Sequence, residues 1–170
     1  MTHPLVEQLH FTRHEWLRGL EGVSEDDAIK HFGPMNCISW NIGHLAWQEQ
    51  RYWLDRAQGI VIHPVLQELF AYGAPMNTPA LREMMALWEE VTSSADDFLL
   101  KLSTEKLSSE LLYKHKPVGQ SYGSAMQRMI YHYWYHTGEN QAIRQMLGQA
   151  NLPEYVGDIE KEAPYKPDGV

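Results

Sequence analysis

The sequence has very little cysteine, no cluster of basic residues and no long apolar run. Its single cysteine, Cys37, cannot form an intrachain disulfide, which favours a reducing compartment. The net charge is −8, and no Lys/Arg cluster provides the basic surface that nucleic acid or an anionic membrane requires. The sequence also lacks the apolar segments of a transmembrane helix or a signal peptide. We therefore expect a cytoplasmic protein that binds neither nucleic acid nor membranes.

Apolar and aromatic residues, in contrast, are plentiful. Hydrophobic residues make up 44% of the 170 residues, which is enough to bury the core of one domain. We predict a single domain over residues 1–170, in which Leu152 to Val170 forms a surface tail without regular structure. Nine His and six Trp are unusually many for this length. Together they predict a histidine-bearing cavity with aromatic walls.

Four long segments show the apolar spacing of amphipathic helices. They run from Pro4 to Leu20, from about Ser39 to Gln58, from Thr78 to Lys101 and from Ser124 to Gly148. Thr78 is the predicted N-cap of the third helix, with Pro79 at the first helical position. Residues 113–122 suggest an extended segment, but no convincing strand is found. The prediction is therefore an all-α fold, specifically a four-helix bundle.

Histidines fall on two of these helices in a pattern typical of a metal site. His132 and His136 are four residues apart, so their rings lie on one helical face and can converge on one ion. His44 shares a face of the second helix with Trp40 and Trp47. By itself, His44 is more typical of a hydrogen-bonded core residue, and an isolated HxxxH often arises by chance. On facing helices, however, three histidines with an open fourth position form a catalytic type of metal site.

A second histidine pair and the cysteine are interpreted differently. His10 and His14 repeat the four-residue spacing on the first helix, and Glu7 with His10 forms an ExxH motif. No second ExxH is present, which disfavours a di-iron site. The simplest interpretation of this pair is a polar or half-buried helix face. Cys37 lies about 10 Å from His44 along the helix axis, so we interpret it as a core residue rather than a ligand of the same ion.

The connection from Ile60 to Pro79 is long and is broken by prolines and Gly73. Such a connection often forms a lid or pocket wall, to which Phe70 and Tyr72 would contribute. An ordinary surface crossover is the alternative. Gly43, inside the second helix, predicts the close approach of another segment or of a ligand.

The spacing around the histidines resembles that of the DinB/YfiT-like superfamily. The segments that carry the resemblance are Trp40 to Ala46, His132 to Gly138, Ile143 to Gly148 and Pro153 to Gly157. The resemblance implies a four-helix bundle, commonly a homodimer, with a divalent metal, often zinc or nickel. It implies three histidine ligands, which map onto His44, His132 and His136. The residue after Gly138 is usually Gln in this family and is Glu139 here, either an acceptor for a ligand histidine or a solvated residue.

The same resemblance implies thiol-dependent chemistry on a small-molecule substrate. Known activities are transfer of a low-molecular-weight thiol of the bacillithiol or mycothiol type, and an isomerisation of maleylpyruvate. The thiol would come from an external cofactor, since Cys37 is badly placed to serve. The sequence assigns no general acid or base, and Glu49 and Tyr72 are only hypotheses for such a role. The alternative is a non-catalytic dimeric module for binding or stress response, in which hydrogen bonds alone hold the three histidines.

Overall fold

A computed structural model describes residues 2–167 of the chain. Over this range the chain is mostly helical, with one small sheet. The long helices are α1 Pro4–Arg18, α3 Ile38–Glu49, α5 Leu81–Leu99 and α7 Tyr122–Met146. The short helices are α2 Glu25–Ala28, α4 Val65–Leu69, α6 Thr104–Ser108 and α8 Ile159–Glu162. The strands are β1 Glu110–Tyr113 and β2 Lys116–Ser121. No helix in the described range is both long and apolar enough to cross a membrane.

Helix α3 lies at the centre of the packing. Helix α3 packs mainly against α5 and also contacts α7, while α1 packs against α7. Every residue of α3 is buried, polar ones included. The largest fully buried side chains in the core include Trp16, Trp53, Tyr133, Phe70, Leu9 and Ile38. Any functional group on α3 is therefore surrounded by protein, and its polar atoms require partners from the neighbouring elements.

Helix α3 continues directly into a π-helical segment, Gln50–Arg56. The prediction of a helix as far as Gln58 is confirmed, but the apolar spacing does not indicate that part of it is a π-helix. Segments of this kind are rare and occur frequently at functional sites. Here the segment carries Arg51, whose guanidinium lies 5.1 Å from the centre of the Trp47 ring.

The start of α5 differs from the prediction. Thr78 and Pro79 precede the helix, which begins at Leu81 without a side-chain cap from the preceding residue. Instead, the Glu25 carboxylate accepts hydrogen bonds from the backbone N–H groups of Leu81 (2.9 Å) and Arg82 (3.2 Å). These N–H groups have no partner inside the helix, so a carboxylate from α2 performs the capping.

The two strands form an antiparallel hairpin that leads into α7. Tyr113 pairs with Lys116, which leaves Lys114 and His115 as a two-residue turn. Both turn residues have positive φ angles, 50° and 64°, as a type I′ turn requires. The extended character predicted for residues 113–122 is confirmed for β2, while the pairing with β1 was not predicted.

The C-terminal tail packs along α1. It contains α8, so the prediction of a tail without regular structure is wrong for Ile159–Glu162. Residues 168–170 of the predicted tail lie outside the described residues. The Gln8 amide donates to the Ala163 carbonyl (2.6 Å), and the Gly157 N–H donates to the Glu15 carboxylate (2.8 Å). These contacts attach both halves of the tail to the first helix.

Candidate metal centre

The fold brings His44 on α3 together with His132 and His136 on α7. The Nε2 atom of His132 lies 3.3 Å from Nε2 of His44 and 3.0 Å from Nε2 of His136. All three nitrogens lie within 4.8 Å of one another, close enough to share one ion. In the described part of the chain, no other three His, Cys, Asp or Glu side chains are grouped in this way. The three residues singled out from the sequence are therefore neighbours in space.

Three contacts hold His44 in one orientation. Its Nδ1 lies 2.6 Å from the backbone carbonyl oxygen of Phe70. Because a carbonyl can only accept, Nδ1 carries the hydrogen and Nε2 keeps a free lone pair. The ring is stacked on Trp40, with centroids 4.9 Å apart and planes at 13°, and contacts Trp47 at 5.2 Å. The predicted aromatic wall is therefore present around His44.

The close approach of Phe70 depends on Gly43. A Cβ atom at position 43 would lie 2.6 Å from Cδ1 of Phe70 and 2.8 Å from Sδ of Met84, both inside van der Waals contact. The expected approach of another segment at Gly43 is thus confirmed, and the segment is the crossover that precedes α5. Tyr72, however, is 92% exposed, so its assignment to a pocket wall is wrong.

Glu139 fixes the orientation of His136. Its Oε2 lies 2.7 Å from Nδ1 of His136, and a carboxylate accepts the hydrogen at that nitrogen. The Nε2 atom of His136 therefore keeps its lone pair, as in His44. Of the two interpretations of Glu139, the acceptor for a histidine is confirmed. The Nδ1 atom of His132 is buried and has no hydrogen-bond partner within residues 2–167.

The surroundings keep the imidazoles of His44 and His132 neutral. Burial lowers the pKa of His44 to about 4, against the opposing effect of the Phe70 carbonyl. Burial, followed by the charges of His136 and His44, lowers the pKa of His132 to about 3. Desolvation favours the neutral ring because the charged form loses its hydration. At neutral pH both rings therefore present lone pairs rather than protons.

The donor set fits a divalent metal ion. Nε2 lone pairs of His44 and His136 point into the same space as His132, and a bound cation would satisfy all of them together. Imidazole nitrogen suits zinc and nickel, and three protein ligands leave a fourth position open. On one side, His132 lines an open cavity of about 970 Å³ between α7 and the hairpin. A small molecule could reach the centre through this cavity.

Glu49, considered from the sequence as a general acid or base, instead forms a buried ion pair outside the histidine centre. It is fully buried and accepts two hydrogen bonds from the Arg13 guanidinium, at 2.8 and 2.7 Å. The Tyr133 hydroxyl donates to the same carboxylate at 2.8 Å, and Trp88 Nε1 donates to that hydroxyl at 2.8 Å. Burial, the largest single effect, lowers the pKa of Arg13, but the charge and hydrogen bonds of Glu49, together with the charges of Tyr133 and Asp96, raise this pKa by more. This network, which joins α1, α3, α5 and α7, was not predicted from the sequence.

The histidine pair on α1 is separate from the centre. His10 lies 3.4 Å from the Asp96 carboxylate, and His14 lies 2.7 Å from the Glu162 carboxylate of α8. The interpretation of this pair as a polar, half-buried helix face agrees with these contacts. Cys37 is buried with its Sγ 3.3 Å from the Ser39 hydroxyl, in agreement with its interpretation as a core residue.

The fold and the site together define a mostly helical protein with a buried histidine centre suited to a metal ion. The model of the DinB superfamily matches residues 8–139, a range that contains all three histidines and Glu139. The chain therefore belongs to the DinB superfamily. No curated protein matches it.

Proposed function

We propose that this protein is a divalent-metal-dependent enzyme in which His44, His132 and His136 bind zinc or nickel through Nε2. The observation that carries the proposal is the convergence of the three Nε2 atoms, with Nδ1 of His44 and of His136 already engaged by acceptors. Hydrogen bonds at the second ring nitrogen are the usual support of metal-binding histidines.

The proposed reaction is transfer of a low-molecular-weight thiol to an electrophilic small molecule, or a related thiol-dependent hydrolysis or isomerisation. A divalent ion bound here would lower the pKa of a thiol and make thiolate available near neutral pH. The chain itself orients the centre: Phe70 and Glu139 fix two rings, and the indoles of Trp40 and Trp47 exclude water from one side of His44. The thiol is external, because Cys37 lies buried in the core.

The remaining parts of the proposal concern the whole molecule. We propose that the four long helices form the four-helix bundle of the superfamily, that the chain is one domain, and that it works as a homodimer in the cytoplasm. The free cysteine supports a reducing compartment. The net charge of −8 supports a small-molecule substrate rather than nucleic acid.

The first experiment measures metal content by elemental analysis of untagged protein after incubation with zinc or nickel. The chain provides a matched control, since both α1 and α7 carry two histidines four residues apart. We expect about one ion per chain in the wild type and in a His10→Ala/His14→Ala variant. A His132→Ala/His136→Ala variant should lose the ion. Equal metal content in the two double variants would contradict the proposed ligands.

The second experiment tests the chemistry. Conjugation of small thiols to an electrophile such as 1-chloro-2,4-dinitrobenzene is followed with and without a chelator. We expect turnover that the chelator abolishes and that zinc or nickel restores. A protein that binds metal but shows no thiol-dependent turnover with a panel of thiols would favour the non-catalytic alternative.

A further inference from the structure

Two tyrosines on the outer face of α7 lie beside the histidine centre. Tyr131 is 68% exposed and Tyr135 is 67% exposed. They are four residues apart, so they follow one another along one face of the helix. The tryptophans at the centre, Trp40 and Trp47, are buried. Rings as exposed as the two tyrosines contribute little to the core, so core packing does not account for their position.

His132 joins the two tyrosines into one site. Tyr131 and His132 line the same cavity of about 970 Å³. The Tyr135 ring lies nearly parallel to the His132 ring, at an angle of 9° and with the ring centroids 6.4 Å apart. It also meets the His136 ring edge-on, with centroids 4.9 Å apart. One tyrosine therefore lines the cavity that leads to the centre, and the other contacts two of the three histidines.

The outer surface of Tyr135 is left open by its own helix. Side chains of an α-helix lean towards its N-terminus, so a side chain at position 138 would lean towards Tyr135. That residue is Gly138, and a Cβ atom added there would meet nothing within 4 Å. Glycine is, after proline, the least favourable residue inside a helix. Packing within the described chain does not require a glycine here, whereas a ligand that approaches Tyr135 from outside would benefit from one.

The cavity has the size and the lining of a small-molecule site. Ligand pockets typically measure about 300–1,000 Å³ and combine aromatic surface with a few polar groups. Here Tyr131 provides an exposed aromatic ring, and Gln120, Ser124 and Gln127 provide neutral hydrogen-bonding groups. A concave surface with a candidate metal ligand in its wall suits a small molecule better than it suits the flat surface of another protein.

We propose that Tyr131 and Tyr135 form a stacking surface for a planar, unsaturated electrophile, an aromatic or conjugated molecule, at the histidine centre. This inference rests on the proposed function, because it names the chemical class of the electrophile at that same centre. Aromatic rings attract one another in offset or edge-on arrangements with centroids about 4.5–7 Å apart. A planar molecule on these two rings would lie beside His132, in the cavity through which the centre is reached.

NMR titration with two unreactive probes tests the stacking surface. Benzamide and cyclohexanecarboxamide are both neutral and similar in size, but only benzamide has an aromatic ring. We expect benzamide to bind roughly three- to tenfold more tightly, because aromatic pairing adds to the effect of burying the same area. Its ring protons should also shift upfield, as they do when one ring lies over another. Equal binding of the two probes would overturn the inference.

Leucine substitutions keep an apolar side chain and remove the ring. Tyr131→Leu and Tyr135→Leu should each remove at least about half of the preference for benzamide. The corresponding phenylalanine variants should retain it, since the ring and not the hydroxyl carries the effect. Tyr165→Leu is the matched control, because Tyr165 is 90% exposed in the C-terminal tail, and it should leave the preference intact. Equal effects of all three leucine substitutions would contradict a stacking surface at the centre.

Metal content and turnover separate this inference from the proposed function. Neither tyrosine is a proposed ligand, so both leucine variants should bind as much zinc as the wild type. The rings do not depend on the ion, so the preference for benzamide should persist in metal-free protein. This preference in a protein that binds no metal would contradict the enzyme proposal alone. Metal binding with thiol-dependent turnover but without the preference would contradict the stacking surface alone.

Light scattering after size-exclusion chromatography tests whether the same rings instead contact a second copy of the chain. We expect a Tyr131→Leu/Tyr135→Leu variant to keep the molar mass of the wild type in solution. A fall from dimer to monomer with an unchanged preference for benzamide would assign the two rings to a protein interface and overturn the inference.

Discussion

Replacement of Glu49 by glutamine should strongly destabilise the protein. The substitution keeps the size of the side chain but removes the charge that pairs with Arg13, whose side chain is only 7% exposed. Loss of one partner of a buried ion pair typically costs about 3–5 kcal/mol, because the other charge stays buried. Asp96 remains 2.7 Å from the same guanidinium, so we expect the lower end, about 3 kcal/mol. With a urea dependence of about 2 kcal/mol/M, the unfolding midpoint would fall by about 1.5 M.

Urea unfolding followed by circular dichroism gives the measurement. Glu89→Gln on the exposed face of α5 is the charge-matched control and should change the free energy of unfolding by less than about 0.5 kcal/mol. Replacing both partners, as in Arg13→Met with Glu49→Leu, should be less harmful than the two single losses combined, since no charge is left buried alone. A loss below about 1 kcal/mol for Glu49→Gln would refute the reasoning that Arg13 depends on this carboxylate.

Substitutions at three further positions test the site and the hairpin. Gly43→Ala should lower the free energy of unfolding, measured in urea, by about 1–2 kcal/mol. The added Cβ would lie 2.6 Å from Phe70, and this clash outweighs the gain in helix propensity. An unchanged urea midpoint would contradict the close packing. His115→Gly should raise the free energy of unfolding by roughly 0.5–1 kcal/mol and so raise the thermal midpoint, since residue 115 has a φ of 64° that glycine adopts without strain. A lower midpoint would refute this. Glu139→Ala should weaken zinc binding about 10–100-fold in competition with a chromophoric chelator, because His136 loses its acceptor. Glu139→Gln keeps an acceptor and should lose less, so equal losses would contradict the hydrogen-bonding role.

The histidine centre was predictable because its geometry is largely local. Four-residue spacing places His132 and His136 on one helical face whatever the rest of the chain does. The placement of His44 beside them depends on packing between α3 and α7, which its position among buried residues and the family resemblance both indicated. The acceptor role of Glu139 follows from the same spacing, since it lies three residues after His136. The Phe70 carbonyl that accepts from His44 is a backbone group, so no pattern of side chains in the sequence predicts this contact.

Other features depend on contacts between distant residues and left no trace in the sequence pattern. Arg13 and Glu49 are 36 residues apart, and any of the 22 acidic residues was an equally plausible partner. The capping of α5 by Glu25 spans 56 residues, so the local Thr78-Pro79 pattern pointed to the wrong boundary. The hairpin turn uses Lys114 and His115 where Asn-Gly or Asp-Gly is typical. At the start of α5, a tertiary contact from Glu25 replaced the capping residue that local rules favour.

The contacts of two indoles with His44 give the protein an internal spectroscopic probe. Trp40 and Trp47 lie with their ring centres 4.9 and 5.2 Å from that of His44. An open-shell ion such as Ni²⁺ or Cu²⁺ bound at His44 would quench the emission of these two tryptophans, whereas Zn²⁺, with its filled d shell, would not. The arrival of an ion could therefore be followed in real time from the protein's own fluorescence, and the difference between the two kinds of ion would separate quenching from a change in fold.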